Sequence, residues 1–306
     1  MTGSLPMTRA RLMILATGVP VALALIGLCT HAWVRGAVGT LANLQQVGRS
    51  VAFTAPTGPN GIHVVLSNGN LTFHTTHTTA TGPIRVHGRL SGSMAAPAFS
   101  HQLTASGLTL DPQCRAPIGG CSAGFNMTGP AGVPVNINDW FGQLDTSRLS
   151  GDVTLSSNSG DIDASRLTGT LRLNDSFGDI DASTLSGHIK LTSNSGDIDA
   201  SRLTGDTQIF DSFGDVTING LAAADLKCTG QSADFTIVFT TVPRNVQVGD
   251  NFGDVTLVLP PGPTRYHVTT LNQFGHTSVT VPRSSTAADT ITVLSNSGSV
   301  VVKTRA

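Results

Sequence analysis

The sequence predicts an all-β chain built mainly as a parallel β-solenoid, and three observations carry that expectation. The segment Ser157-Asn158-Ser159-Gly160-Asp161-Ile162-Asp163-Ala164-Ser165-Arg166-Leu167-Thr168-Gly169 recurs unchanged at residues 193–205. A diverged copy, Asp175-Ser176-Phe177-Gly178-Asp179-Ile180-Asp181-Ala182-Ser183, lies between the two. A fixed period of this kind marks a stacked-repeat architecture. Second, a turn glycine recurs every 18 residues at Gly142, Gly160, Gly178, Gly196 and Gly214. Its analogues follow at Ala233, Gly253, Gly275 and Gly298 with longer spacings, which predict loops inserted into the later rungs. Third, none of the 19 acidic residues is Glu, Lys occurs only at 190, 227 and 303, and Gly numbers 34. Strong helix formers are therefore scarce and turn formers abundant.

The first 50 residues differ from the rest. Leu12 to Thr30 carries no charge, and the apolar run reaches Val34. About 20 such residues cross a hydrocarbon core. Arg9 and Arg11 precede the run and Trp33 closes it, which predicts a single-pass helix at 12–34 with a cytoplasmic tail at 1–11. Everything after about residue 35 is then extracytoplasmic, and the expected location is the cell membrane. A signal peptide cleaved after Ala22-Leu23-Ala24 is the competing reading, but the apolar run continues past that site. A lipoprotein signal at Cys29 would want a small residue where Leu28 stands. Residues 35–50 read as a spacer.

Residues 51–130 alternate short apolar runs with Gly, Asn and Pro, as in Ile62 to Phe73 and Ile84 to His87. These are strand signals, and they predict an irregular β-rich head. Cys114 and Cys121 lie seven apart among Pro112, Pro117, Gly119 and Gly120, the spacing of a disulfide closing a short loop in an oxidising compartment. Cys228 is left over and is expected to be a buried thiol.

The solenoid is expected over 131–306. Val153, Leu155, Ile162, Ala164 and Leu167 align with Leu171, Leu173, Ile180, Ala182 and Leu185, then with Ile189, Leu191, Ile198, Ala200 and Leu203. Apolar residues two apart share one face of a strand. Each rung of about 18 residues thus supplies two short strands and one further inward Leu. The expected winding is right-handed and β-helix-like. About nine rungs, each about 4.8 Å above the last, make a rod of roughly 40 Å. The terminal rung near Val300–Val302 is expected to present an edge that needs capping or pairing.

Chemistry-bearing residues form columns rather than a centre. Asp161, Asp179, Asp197 and Asp215 follow the turn glycine in successive rungs, and Asp254 repeats the pattern. Clustered carboxylates suit calcium, which makes these four the candidates for a metal site. The alternative is that they cap turn amides. Asp145, Asp163, Asp181 and Asp199 form a second column, which Arg148, Arg166 and Arg202 are expected to neutralise. Phe141, Phe177, Phe213, Phe252 and Phe274 all precede the turn glycine, with Ser159 and Ser195 in the intervening rungs. Packing at the core or its edge is the expected role, and an exposed stripe for polysaccharide or a protein partner is the other.

Enzymatic motifs fail on context. Gly120-Cys121-Ser122-Ala123-Gly124 matches a nucleophile elbow, but Asn126 to Pro130 cannot open the helix that motif needs. His74 and His77 fall on opposite faces of a strand, so they cannot share a metal ion. No catalytic or cofactor-binding residue is expected, and the near-zero net charge gives no footprint for nucleic acid.

Asn158-Ser159-Gly160-Asp161-Ile162, Asn194-Ser195-Gly196-Asp197-Ile198, Phe213-Gly214-Asp215-Val216 and Phe252-Gly253-Asp254-Val255 resemble the Ser-Gly-Asp-Val strand units of the putative adhesin family of bacterial envelope proteins. Phe125 to Val133 is similar to that family's lead-in to its repeats. The resemblance covers roughly 120–306, more loosely 51–306, and departs from the pattern where Phe replaces Ser on alternate rungs and where the glycine is lost at Ala233-Asp234. It implies a domain of unknown function with no catalytic residues. The expected protein is a membrane-anchored, non-enzymatic adhesive, scaffold or interaction module, with envelope protein, polysaccharide or a second copy as partner. A carbohydrate-active β-helix enzyme and an envelope-stress sensor are the alternatives.

Overall fold

The computed structural model describes residues 46–58, 60–77, 81–93, 95, 97–104, 107–113 and 120–305. The expected membrane segment at 12–34, and Cys114 with its expected bond to Cys121, lie outside them. Residues Gly48–Ala306 form one compact unit, and the described part of it holds strands and no helix.

The strands in chain order are β1 (Gln46–Ala55), β2 (Ile62–Leu66), β3 (Asn70–His77), β4 (Ile84–Ser93), β5 (Ala98–Thr104), β6 (Gly107–Gln113), β7 (Cys121–Pro130), β8 (Val135–Asp139), β9 (Leu144–Ser147), β10 (Ser150–Ser157), β11 (Ile162–Ser165), β12 (Thr168–Asp175) and β13 (Ile180–Ser183). They continue as β14 (Ser186–Ser193), β15 (Ile198–Thr204), β16 (Thr207–Asp211), β17 (Asp215–Ala222), β18 (Asp225–Gly230), β19 (Asp234–Phe239), β20 (Asn245–Asp250), β21 (Val255–Leu259), β22 (His267–Asn272), β23 (Thr277–Val279), β24 (Thr290–Ser295) and β25 (Val300–Thr304).

Each coil contributes one strand to each of two parallel ladders. The β11–β13–β15 ladder pairs Ile162 with Ile180 and Ile180 with Ile198, like on like. The β10–β12–β14 ladder does the same for Leu155, Leu173 and Leu191. All six side chains are fully buried, with the apolar faces of both ladders meeting in one continuous core. Alternation buried–exposed along each strand is the cause, since only every second side chain points inward. Leu149, Leu167, Leu185 and Leu203 fill the corner between the two strands of successive coils. Their neighbours Arg148, Arg166, Thr184 and Arg202 sit at φ of 60°, 55°, 57° and 54°. A β-branched residue is strained in that left-handed region. Thr184→Asn, which relieves it, should therefore stabilise the protein by about 0.5–1 kcal/mol in a denaturant titration.

The stacking order differs from chain order at both ends. At the N-terminal end, β2 lies between β6 and β8, and β3 lies between β7 and β9. The stretch expected as an irregular head therefore supplies two full levels of the solenoid, β2–β3 and β6–β7. Antiparallel β4 on β7 and β5 on β6 lie beyond them. At the C-terminal end, β24 pairs with both β20 and β22, and β25 with both β21 and β23. The last coil is thus inserted between the two before it. Val300 and Val302 are interior and fully buried, and the open edge belongs to β22–β23 rather than to the terminal coil. The long spacings reflect this: the chain skips a level after Leu259 and later returns to fill it. Pro260, Pro261 and Pro263 carry the skip, and three residues without a ladder N–H suit a segment that must leave both ladders. From β8–β9 to β22–β23 the ladder has nine levels.

Candidate functional site

One corner of the solenoid gathers the repeated polar and aromatic residues. It leads from the β10–β12–β14 ladder into the β11–β13–β15 ladder and reads Asp-x-Phe-Gly at one level and Ser-x-Ser-Gly at the next. Asp139, Asp175 and Asp211 open the first form, and Ser157 and Ser193 the second. The register places Asp139 beside Ser157, Ser157 beside Asp175, and Ser193 beside Asp211.

The glycine of this corner has no room for a side chain. A Cβ on Gly160, Gly196 or Gly253 would lie within about 2 Å of the carbonyl oxygen one level below. The same contacts set the stacking order: Gly298 meets Gly253, and Gly275 meets Gly298. Ala233 replaces glycine once, and Gly230 then stands where the other levels have Ser, Asp or, at the outermost, Asn. A Cβ on Gly230 would lie 3.0 Å from that of Ala233 and 2.3 Å from Asp250 Oδ1. The two substitutions compensate each other, so the lost glycine leaves the corner intact.

Asp139, Asp175, Asp211 and Asp250 are buried at the inner side of the corner. The Phe141 N–H donates to Asp139 Oδ1 at 3.3 Å and the Ser176 N–H to Asp175 Oδ1 at 2.6 Å. Gly253 and Ala233 donate to the two oxygens of Asp250. Burial pushes the Asp139 carboxyl up to about 7, and those of Asp175 and Asp211 up to about 6. Asn272 fills this place at the outermost level, accepting from Gly275 N and donating to Gly298 O. The buried aspartate column was not anticipated, although the Asp-x-Phe-Gly and Ser-x-Ser-Gly alternation was its signal.

Past the glycine runs the exposed aspartate row. Asp161 Oδ1 accepts the Asp179 N–H, Asp179 Oδ1 the Asp197 N–H, and Asp197 Oδ1 the Asp215 N–H, at 3.2, 2.8 and 2.9 Å. Asp234 and Asp254 do the same higher up, to Asp254 N and Ser299 N. Three of the four calcium candidates, Asp161, Asp179 and Asp197, thus accept turn amides from level to level, and Asp215 donates its own amide to the last of them. No group of three or more metal-ligating side chains converges among the described residues.

The second aspartate column, Asp145, Asp163, Asp181 and Asp199, lines a shallow groove with Ala164, Ala182 and Ala200. Burial, then the Asp163 and Asp199 charges, raises the Asp181 carboxyl. Among the described residues the expected neutralising arginines make no ion pair with this column; Arg244 pairs with Asp225, and His188 Nδ1 lies 3.7 Å from Asp206 Oδ2. Arg148, Arg166 and Arg202 instead occupy the left-handed corner and extend into solvent.

The aromatic row overturns the packing expectation. Phe141, Phe177, Phe213, Phe252 and Phe274 are 54, 64, 54, 65 and 79 % exposed, and Trp140 beside them is 55 % exposed. A residue one place before the corner glycine points away from the core. Two enzymatic motifs gain nothing: Ser122 is the second residue of β7, paired with Ser91 of β4 and not at a strand-to-helix turn, and half-buried His74 has no described ligand set around it. Cys228 is a buried free thiol, as expected, and burial raises its pKa.

Two solved structures cover this chain widely at low identity. A putative adhesin from Parabacteroides merdae is 12% identical with a TM-score of 0.47, covering 86% of this chain and 98% of that one. One from Bacteroides fragilis is 13% identical with a TM-score of 0.41, covering 85% and 97%. No curated protein sequence matches. The family model described as Toastrack DUF4097 matches residues 146–306, more than half of the sequence. The chain belongs to the Toastrack DUF4097 family.

Proposed function

We propose that this chain is a non-enzymatic interaction module of the cell envelope. Residues 12–34 anchor it, the N-terminal tail is cytoplasmic, and the solenoid is held outside. The observation that carries the reading is the row of five phenylalanines, each more than half exposed, along one corner of a rigid ladder. A soluble surface rarely carries so much aligned aromatic area unless something binds there.

Full-length protein in detergent micelles should bind sedimented bacterial envelopes in a saturable way. The double variant Phe177→Ser, Phe213→Ser should bind at least roughly tenfold more weakly, the loss expected when two central aromatic anchors are removed. Its unfolding midpoint should stay within about 2 °C of wild type, because serine already stands at this position in alternate levels. Unchanged binding by that variant would remove the row from the mechanism.

A further inference from the structure

In chain order the position before the corner glycine reads Phe141, Ser159, Phe177, Ser195, Phe213, Ser232, Phe252, Phe274, Ser297, and the alternation fails at the end. In stacking order it does not fail. The inserted last coil places Ser297 between Phe252 and Phe274, since Gly298 packs on Gly253 and Gly275 packs on Gly298. Asn68 continues the pattern below Phe141, because Gly142 packs on Gly69. The alternation is therefore a property of the assembled surface, aromatic then small or polar, over ten levels. Within the chain these five rings take part in none of the described ring stacks or cation contacts, which involve Phe53, Phe99, His101, Phe125, Phe210 and Lys190.

Resting on the interaction reading above, we propose that the row's occupant is a second copy of this chain, its rod antiparallel and its rings seated in the serine gaps. Rings at every second level stand about 9.6 Å apart, twice the strand spacing of about 4.8 Å. A ring inserted midway lies about 4.8 Å from each neighbour, within the separation of about 4.5–7 Å at which aromatic pairs attract. A two-fold axis crossing the row between Ser195 and Phe213 seats every ring. Phe213 then faces Ser195 of the second copy, Phe177 faces Ser232, Phe252 faces Ser159, Phe141 faces Ser297 and Phe274 faces Asn68. The exposed area fits as well. Five rings and Trp140 offer roughly 600–700 Å² per copy, close to the roughly 800 Å² per partner of a stable interface. The same operator brings both exposed aspartate rows to one flank. Their repulsion opposes pairing and is screened by salt.

The test uses full-length protein in detergent micelles, with mass measured by sedimentation over a concentration series. Wild type should dimerise, and more tightly as salt rises from about 0.05 to 0.5 M. The Phe177→Ser, Phe213→Ser protein should dissociate at concentrations at least roughly tenfold higher than wild type. Orientation is read by oxidation of the Ser159→Cys, Phe252→Cys double variant. Those positions are five levels apart in one chain, roughly 24 Å, too far for an internal disulfide. Covalent dimer from the double variant, and none from Ser159→Cys alone, supports the antiparallel pairing. Covalent dimer from Ser159→Cys alone would mean parallel rods and overturn it. A wild type that stays monomeric, or a dimer indifferent to the two Phe→Ser changes, would also overturn it. A monomer that still binds envelopes through its phenylalanines would retire the pairing while leaving the interaction reading standing.

Discussion

Replacing Gly187 with valine should lower the unfolding midpoint of the full-length protein by roughly 10 °C, a loss of about 3–5 kcal/mol. Two independent costs meet at this residue. Its φ is +122°, a conformation that β-branched side chains all but never adopt. Its Cβ would also lie 2.1 Å from the carbonyl oxygen of Gly169. Neither partner can yield, because a Cβ on Gly169, Gly187 or Gly205 would lie within about 2.2 Å of the carbonyl oxygen of the glycine one level below, Gly151, Gly169 and Gly187 in turn. Moving one backbone would pull its ladder hydrogen bonds out of register at two levels. Gly249→Ala is the control: a Cβ there meets nothing within 4 Å, so its midpoint should stay within about 2 °C of wild type. Equal stability of Gly187→Val and wild type would mean that the coils do not stack as described.

Acidification should stabilise this protein, against the usual trend. Asp139, Asp175 and Asp211 are pushed up to about 7, 6 and 6 from an ordinary value of 3.8 because burial disfavours the charged form. Between about pH 4 and 7 the folded chain therefore holds protons that the unfolded chain has released. Stability then falls as pH rises through that window and is recovered as pH is lowered. Asp181 and Asp215 are shifted in the same direction, and Asp111, lowered mainly by its hydrogen bond from Gln113, acts the other way. The unfolding midpoint should rise on the order of 5 °C from pH 7.5 to 5. Asp175→Asn should raise the midpoint at pH 7.5 and flatten its dependence on pH. The amide already works at this place in Asn272, which both accepts and donates. A midpoint that falls steadily between pH 7.5 and 5 would show that these carboxyls are not held protonated.

The aspartates illustrate how far sequence reasoning reached at this corner. That Asp161 and its equivalents bond turn amides was one of two readings open from the residue type and its place after glycine. The partner amide lies 18 residues away, one level up, and only stacking supplies it. The buried column was hidden because a carboxylate three residues before a glycine reads as a turn residue, normally solvated. The aromatic row was visible as a pattern, but whether a ring beside a corner points in or out depends on the path of the backbone through that corner.

What the sequence determined by itself was the coil. A period of 18 with apolar residues two apart fixes which side chains face inward, and identical coils can bury them only by stacking like on like. The vertical stacking of Ile162, Ile180 and Ile198 follows from that pattern alone. What only the tertiary structure decided was the order of coils at the two ends. Every coil offers its neighbours nearly the same inward face and the same backbone edges. Local pattern is thus almost indifferent to whether a coil stacks on its predecessor or slips between two earlier ones. That choice rests on loops long enough to skip a level, such as the one through Pro260 and Pro263, and on contacts that exist only once both levels are in place.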